Sequence, residues 1–96
     1  MRKILIVDDE IEICNAFEIF LKSKGYEVYT AQDGPRALQM VREIRPQVVL
    51  LDIILPGEWG LDLLQDIKKI DPMINVIMIT AIGDEETARQ AKKLGA

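Results

Sequence analysis

The run "VVLLDIIL", residues 48 to 55, holds one acid among seven Val, Leu and Ile residues, and that acid is Asp52. Burying an unpaired carboxylate costs several kcal/mol or forces it to take up a proton. Two further acids, Asp8 and Asp9, follow a second apolar run, "KILIV" (3–7), with Glu10 after them. Carboxylates brought together at such positions can ligate a hard divalent cation, and one of them can serve as an oxygen nucleophile toward phosphorus.

Composition narrows the chemistry. The 96 residues include no histidine, which removes Ser-His-Asp and Cys-His mechanisms and any His-ligated zinc. A single cysteine, Cys14, allows no internal disulfide and fits plain packing in a reducing compartment. The net charge is −4 and the twelve basic residues are scattered, whereas nucleic-acid surfaces cluster them, so no direct nucleic-acid binding is expected. No apolar run approaches the ~18 residues of a membrane span, and "MRKILIV" is too short for a signal peptide. A cytoplasmic chain of one domain, residues 1–96, without a membrane anchor is expected. No Gly-rich P-loop or dinucleotide motif supports nucleotide binding.

Short apolar runs alternate with helical patterns along the chain. "KILIV" reads as a strand buried on both faces. Ile13, Phe17, Phe20 and Leu21 recur at helical spacing before Gly25. "YEVYTA" (26–31) is a second strand, followed by a helix with Pro35 in its first turn and Ala37, Leu38, Val41 and Ile44 on one face. "QVVLLDI" is the third strand. A loop with Pro56 and Gly57 leads to a helix near residues 60–69, and "NVIMIT" (75–80) is the fourth strand. Asp84 suits the N-cap of the last helix, which Gly95 closes. Strict strand-helix alternation predicts an α/β fold, a doubly wound parallel sheet joined by right-handed crossovers.

Open α/β sheets bind ligands at the carboxyl ends of their strands. Strand one ends in Asp8 and Asp9, strand three in Asp52 and strand four in Thr80. With the strand order 2-1-3-4, Asp8, Asp9 and Asp52 converge at neighbouring strand ends. At an effective dielectric of ~20, two such charges ~4 Å apart repel by about 4 kcal/mol. A divalent cation cancels that repulsion, and an all-oxygen donor set favours Mg²⁺ or Mn²⁺. The bland alternative makes each acid a helix cap or a solvated strand end. Three at adjacent ends weigh against it.

The set resembles the receiver domain of two-component response regulators. It extends over the whole chain, from "ILIVDDE" through "LLDIILPGEWGLDLL" to "VIMITA" and "AKKLGA", with Pro56, Gly60 and Thr80 four, eight and twenty-eight residues after Asp52. The resemblance implies a flavodoxin-like sheet and makes Asp52 the phosphoacceptor, supplied from a histidine on a sensor kinase or phosphotransfer protein. It makes Asp9 a direct Mg²⁺ ligand and Asp8 a direct or water-mediated one, adds the backbone carbonyl of Ile54, and makes Thr80 the switch hydroxyl. The family is a signalling module rather than an enzyme, with at most Mg²⁺-dependent autophosphorylation and autodephosphorylation. It also carries a fifth strand, a lysine that neutralises the phosphoryl group, an aromatic switch residue and a fifth helix, and the sequence ends at "LGA" before them. A C-terminally truncated receiver is therefore expected. Its strand 75–80 would be an open edge and its first helix would show apolar surface near Phe17 and Phe20.

Two other readings compete. One is a truncated receiver that folds and self-associates through that strand or helix face but is impaired in phosphorylation or switching. The other is an aspartyl-phosphate phosphatase of the haloacid dehalogenase type, which wants a second Asp two residues after the nucleophile; Ile54 stands there. Apolar Ile54 and Ile82 offer nothing to orient water, so slow loss of phosphate is expected. Trp59 is either an exposed partner contact or partly buried against the third helix. The charges of "GDEETARQAKK" read as a solvated helix face, which the family uses for docking.

Overall fold

β-Branched and leucine side chains suit a strand covered on both sides, and Lys3–Val7 forms β1 at the centre of a parallel sheet. The computed structural model describes residues 2–55, 57–79 and 85–96. Helix α1 (Ile11–Ser23) returns the chain to β2 (Glu27–Ala31), and α2 (Gly34–Ile44) leads to β3 (Val48–Asp52). Two short strands follow, β4 (Ile54–Leu55) and β5 (Glu58–Trp59), then α3 (Gly60–Ile70), β6 (Asn75–Ile79) and α4 (Glu85–Lys93). The main sheet runs β2-β1-β3-β6 with every pairing parallel. With β6 as the fourth long strand, this is the expected order.

Local signals end and start the helices where expected. Gly25 has φ +92° and donates its N–H to the Lys22 carbonyl, closing α1. Asp33 caps α2 by accepting the Arg36 N–H at 2.8 Å, with Pro35 in the first turn. Arg45 ends α2 in the left-handed region at φ 53° and Pro46 follows. Gly95, at φ +104°, follows α4.

The period of two along each strand splits the core between two faces. Leu5, Val7, Val49, Leu51 and Val76 face α2 and α3, where Ala37, Met40, Val41, Leu63, Leu64 and Ile67 complete the larger cluster. Ile4, Ile6 and Val28 face α1 and bury Cys14 with Phe17 and Leu21. Helix α1 lies over β1 and β2, and the same face of β3 and β6 is less covered. Val48 and Leu50 are only partly buried there, and Ile77 is 53% exposed.

Two sequence expectations change. The segment after Asp52 is not an open loop: β4 and β5 pair antiparallel, Ile54 with Trp59 and Leu55 with Glu58. Phe20, at helical spacing on α1, is 58% exposed beneath the Lys24 ammonium, and Cys14 is the fully buried residue of that helix. The exposure of Phe20 agrees with the apolar surface expected on the first helix. Strand two also begins at Glu27 rather than Tyr26. Pro56, Thr80, Ile82 and Asp84 lie outside the described residues.

Candidate functional site

The register sets the site. Val7 pairs with Leu51, so β1 and β3 end level with each other and release Asp8 and Asp52 at the same edge of the sheet. Carboxylate oxygens of Asp8, Asp9 and Asp52 all lie within 4.8 Å of one another. Asp52 also pairs with Ile79, the last described residue of β6.

Each acid is held differently. Asp8 is buried, the one charged residue so buried among the described residues, and three hydrogen bonds fix it. Its N–H donates to the Ala31 carbonyl at 3.1 Å, its Oδ1 accepts the Glu10 N–H at 2.9 Å, and its carbonyl accepts from Cys14 Sγ at 3.3 Å. Asp9 is exposed. Asp52 is half-buried, and its Oδ1 accepts the Ile54 N–H at 3.2 Å. Burial pushes the Asp52 carboxyl above its ordinary range, the Ile54 N–H opposes that, and the Asp8 and Asp9 charges add to it.

Three oxygen-donor groups, converging and repelling, fit a hard divalent cation better than any nitrogen- or sulfur-seeking metal. The nearest sulfur, Cys14, is buried with its thiol pushed up by burial, and its Sγ is turned to the Asp8 carbonyl. Beside the acids runs an apolar groove of about 580 Å³, lined by Ile13, Phe17, Phe20 and Ile79 together with Asp8 and Asp52. It is the uncovered part of the α1 face.

Gly60 shows why its place after Asp52 admits no side chain. A β-carbon there would come within 2.5 Å of the Asp52 carbonyl oxygen and 2.6 Å of Ile53 backbone atoms. The Gly60 N–H donates to the Ile53 carbonyl at 2.6 Å. Ile54 is 50% exposed and Trp59, opposite it, 43% exposed. Glu58 was not singled out from the sequence, yet its carboxylate lies against Gly34 at the start of α2. No residue-type signal connects two positions so far apart.

Residues 4–96 match the sequence model of the response regulator receiver domain. The protein of Bacillus subtilis (strain 168) named sporulation initiation phosphotransferase F is 40% identical over 94 residues, covering 98% of this chain and 76% of that protein. The crystal structure of a CheY-like response regulator receiver domain protein from Methanospirillum hungatei JF-1 superposes with TM-score 0.95 at 31% identity, over 100% of this chain and 77% of the other. The chemotaxis protein CheY4 of Vibrio cholerae gives TM-score 0.94 at 31% identity, over 100% and 82%. No helix among the described residues is long and apolar enough to cross a membrane.

Proposed function

This chain belongs to the response regulator receiver domain family, and from that premise we propose that Asp52 accepts a phosphoryl group from a phosphohistidine on a sensor kinase or phosphotransfer protein. The observation that carries the proposal is the convergence of Asp8, Asp9 and Asp52 within 4.8 Å at two adjacent strand ends. A relative named as a phosphotransferase supports transfer chemistry at such a site. Asp9 and Asp52 would hold Mg²⁺ or Mn²⁺ directly, Asp8 directly or through water, and the Ile54 carbonyl would complete the protein ligands. Bound there, the cation would neutralise charge on the phosphoryl oxygens.

The chain's own part is to place the nucleophile. One Asp52 oxygen already accepts the Ile54 N–H, which leaves the other to face phosphorus. That oxygen forms the O–P bond as the P–N bond of the phosphohistidine breaks, and the imidazole nitrogen leaves with the electron pair. The donor supplies the histidine, so this chain needs none. The new charge and acceptor oxygens would then recruit the Thr80 hydroxyl and shift the segment before α4. The chain acts as a signalling module, with self-directed phosphorylation and dephosphorylation as its only chemistry.

The test is incubation with Mg²⁺ and acetyl phosphate, read by intact mass. Wild type is expected to gain one phosphoryl group, and Asp52→Asn and an EDTA-treated sample none. No gain in wild type while Mg²⁺ binds would overturn the reading.

A second reading rests on the open apolar surface at Phe20, at Ile77 and along the groove beside the acids. A chain with these atoms in water would self-associate through them and switch poorly. Size-exclusion chromatography with light scattering separates the two: a monodisperse monomer at high concentration removes this second reading.

A further inference from the structure

Gly34, the first residue of α2, and Glu58, in β5, meet across the molecule. The Glu58 carboxylate occupies the space that any β-carbon on Gly34 would fill. Gly34 is buried and Glu58 half-buried, so the contact is covered rather than incidental to the surface. Its surroundings are acidic: Asp33 caps the same helix, and Asp62 and Asp66 stand one turn apart on α3. Burial first, then Asp66, Asp62 and Asp33, push the Glu58 carboxyl above its ordinary range. Among the described residues no ion pair to Glu58 offsets those charges. The favourable features of the seat are its shape and the positive end of the α2 dipole.

The hairpin β4–β5 is thus held at two points. At its base the Gly60 N–H bonds to the Ile53 carbonyl, and in β5 Glu58 rests on Gly34. Ile54, whose N–H reaches Asp52, lies in the same hairpin, paired with Trp59 next to Glu58. We propose that Glu58 is a positioning residue: seated on Gly34, it fixes the β4–β5 hairpin against α2 and so shapes the backbone at Ile54 before any cation or phosphoryl group arrives. Its consequence for cation binding rests on the phosphoacceptor reading. The contact itself belongs to the cation-free chain.

The experiment compares wild type with Gly34→Ala, Glu58→Ala, Glu58→Gln and the double variant Gly34→Ala/Glu58→Ala. Amide hydrogen exchange at residues 54–60 is followed first without divalent cation. Gly34→Ala puts a methyl group where the carboxylate sits, and only a side-chain end has to yield, so the fold is kept. Exchange is expected to quicken about tenfold in Gly34→Ala and Glu58→Ala, with the double variant no faster than either. Glu58→Gln, which keeps the shape, stays at the wild-type rate. Mg²⁺ titration followed by Trp59 emission is then expected to show several-fold weaker binding in the same two variants and recovery in Glu58→Gln. Unchanged exchange in Gly34→Ala, effects that multiply in the double variant, or equal Mg²⁺ affinity in all variants would each overturn the proposal. Altered exchange with no Mg²⁺ binding even in wild type would instead overturn the phosphoacceptor reading and leave the seat of Glu58 supported.

Discussion

The Ile54 N–H donates to Asp52 Oδ1 at 3.2 Å, so the backbone just beyond β3 turns back onto the carboxylate at the end of that strand. The backbone N–H groups of Ile54 and Ile53 do not offset half-burial beside two other acids, and the Asp52 carboxyl lies above its ordinary value of 3.8. A raised folded-state pKa means the folded chain binds this proton more tightly than the unfolded chain. Its stabilising contribution is complete below the unfolded value and is lost as pH rises through the folded value. At neutral pH, ionised Asp52 therefore costs stability in the cation-free protein. Asp52→Asn is expected to raise the melting temperature at pH 7 by roughly 2–4 °C, because solvent screening of a half-exposed group keeps the effect to about 0.5 kcal/mol. The gain should vanish below about pH 3.5, where both forms are neutral at this position. Thermal melts in EDTA across that range measure it, and a variant less stable at pH 7 would contradict the electrostatic account.

A cation that relieves this repulsion binds the folded chain alone. At ten times its dissociation constant, Mg²⁺ is expected to add about 1.4 kcal/mol, or roughly 5–10 °C in melting temperature. Asp9→Asn should remove most of that shift while leaving the EDTA melt close to wild type, because Asp9 is exposed and accepts no hydrogen bond among those described. Asp8→Asn differs: Asp8 is 4% exposed and its Oδ1 holds the Glu10 N–H, so that variant also perturbs the cation-free melt. Differential scanning calorimetry with and without Mg²⁺ separates the two acids.

Ile54 is half-exposed at the edge of the site and presents only hydrocarbon. Water attacking an acyl phosphate at Asp52 has no side chain there to orient it or take its proton. Ile54→Asn or Ile54→Glu is expected to speed loss of phosphate about tenfold, which corresponds to about 1.4 kcal/mol of barrier. A phosphate-release assay on the phosphorylated protein gives the rate, and an unchanged rate in both variants would show that this position does not reach the attacking water.

The convergence of Asp8, Asp9 and Asp52 was legible because it follows from strand order alone. Once β1 and β3 are neighbours, residues just past Val7 and Leu51 must meet. The glycine helix stops were equally legible, since Gly25 and Gly95 act through their own backbone; the Asp33 cap of α2 was not read from the sequence. The β4–β5 hairpin was not, because two-residue strands carry no periodicity to read. The exposure of Phe20 was legible too, because an apolar residue on the outer part of the α1 stripe has no further element to cover it among those described. The seat of Glu58 on Gly34 joins residues on different elements through shape, and a sequence holds no trace of it.

The two glycines near the site separate shape from backbone. At Gly34 an added methyl group meets the carboxylate end of the Glu58 side chain, whereas at Gly60 it meets the Asp52 carbonyl oxygen at 2.5 Å and Ile53 backbone atoms at 2.6 Å. Gly60 has no positive φ to favour glycine, so close approach alone demands it. The atoms it would strike belong to the last residue of β3 and the residue after it, which cannot yield without moving Asp52 itself. Gly60→Ala is therefore expected to cost about 2–4 kcal/mol, in the upper range for a single substitution, and to lower the melting temperature by more than 10 °C. Gly34→Ala should stay within about 1 kcal/mol of wild type, because alanine is the better helix former and the displaced carboxylate can reach water. Urea unfolding of the two variants side by side tests this, and equal losses would mean that the end of β3 gives way as easily as a side chain.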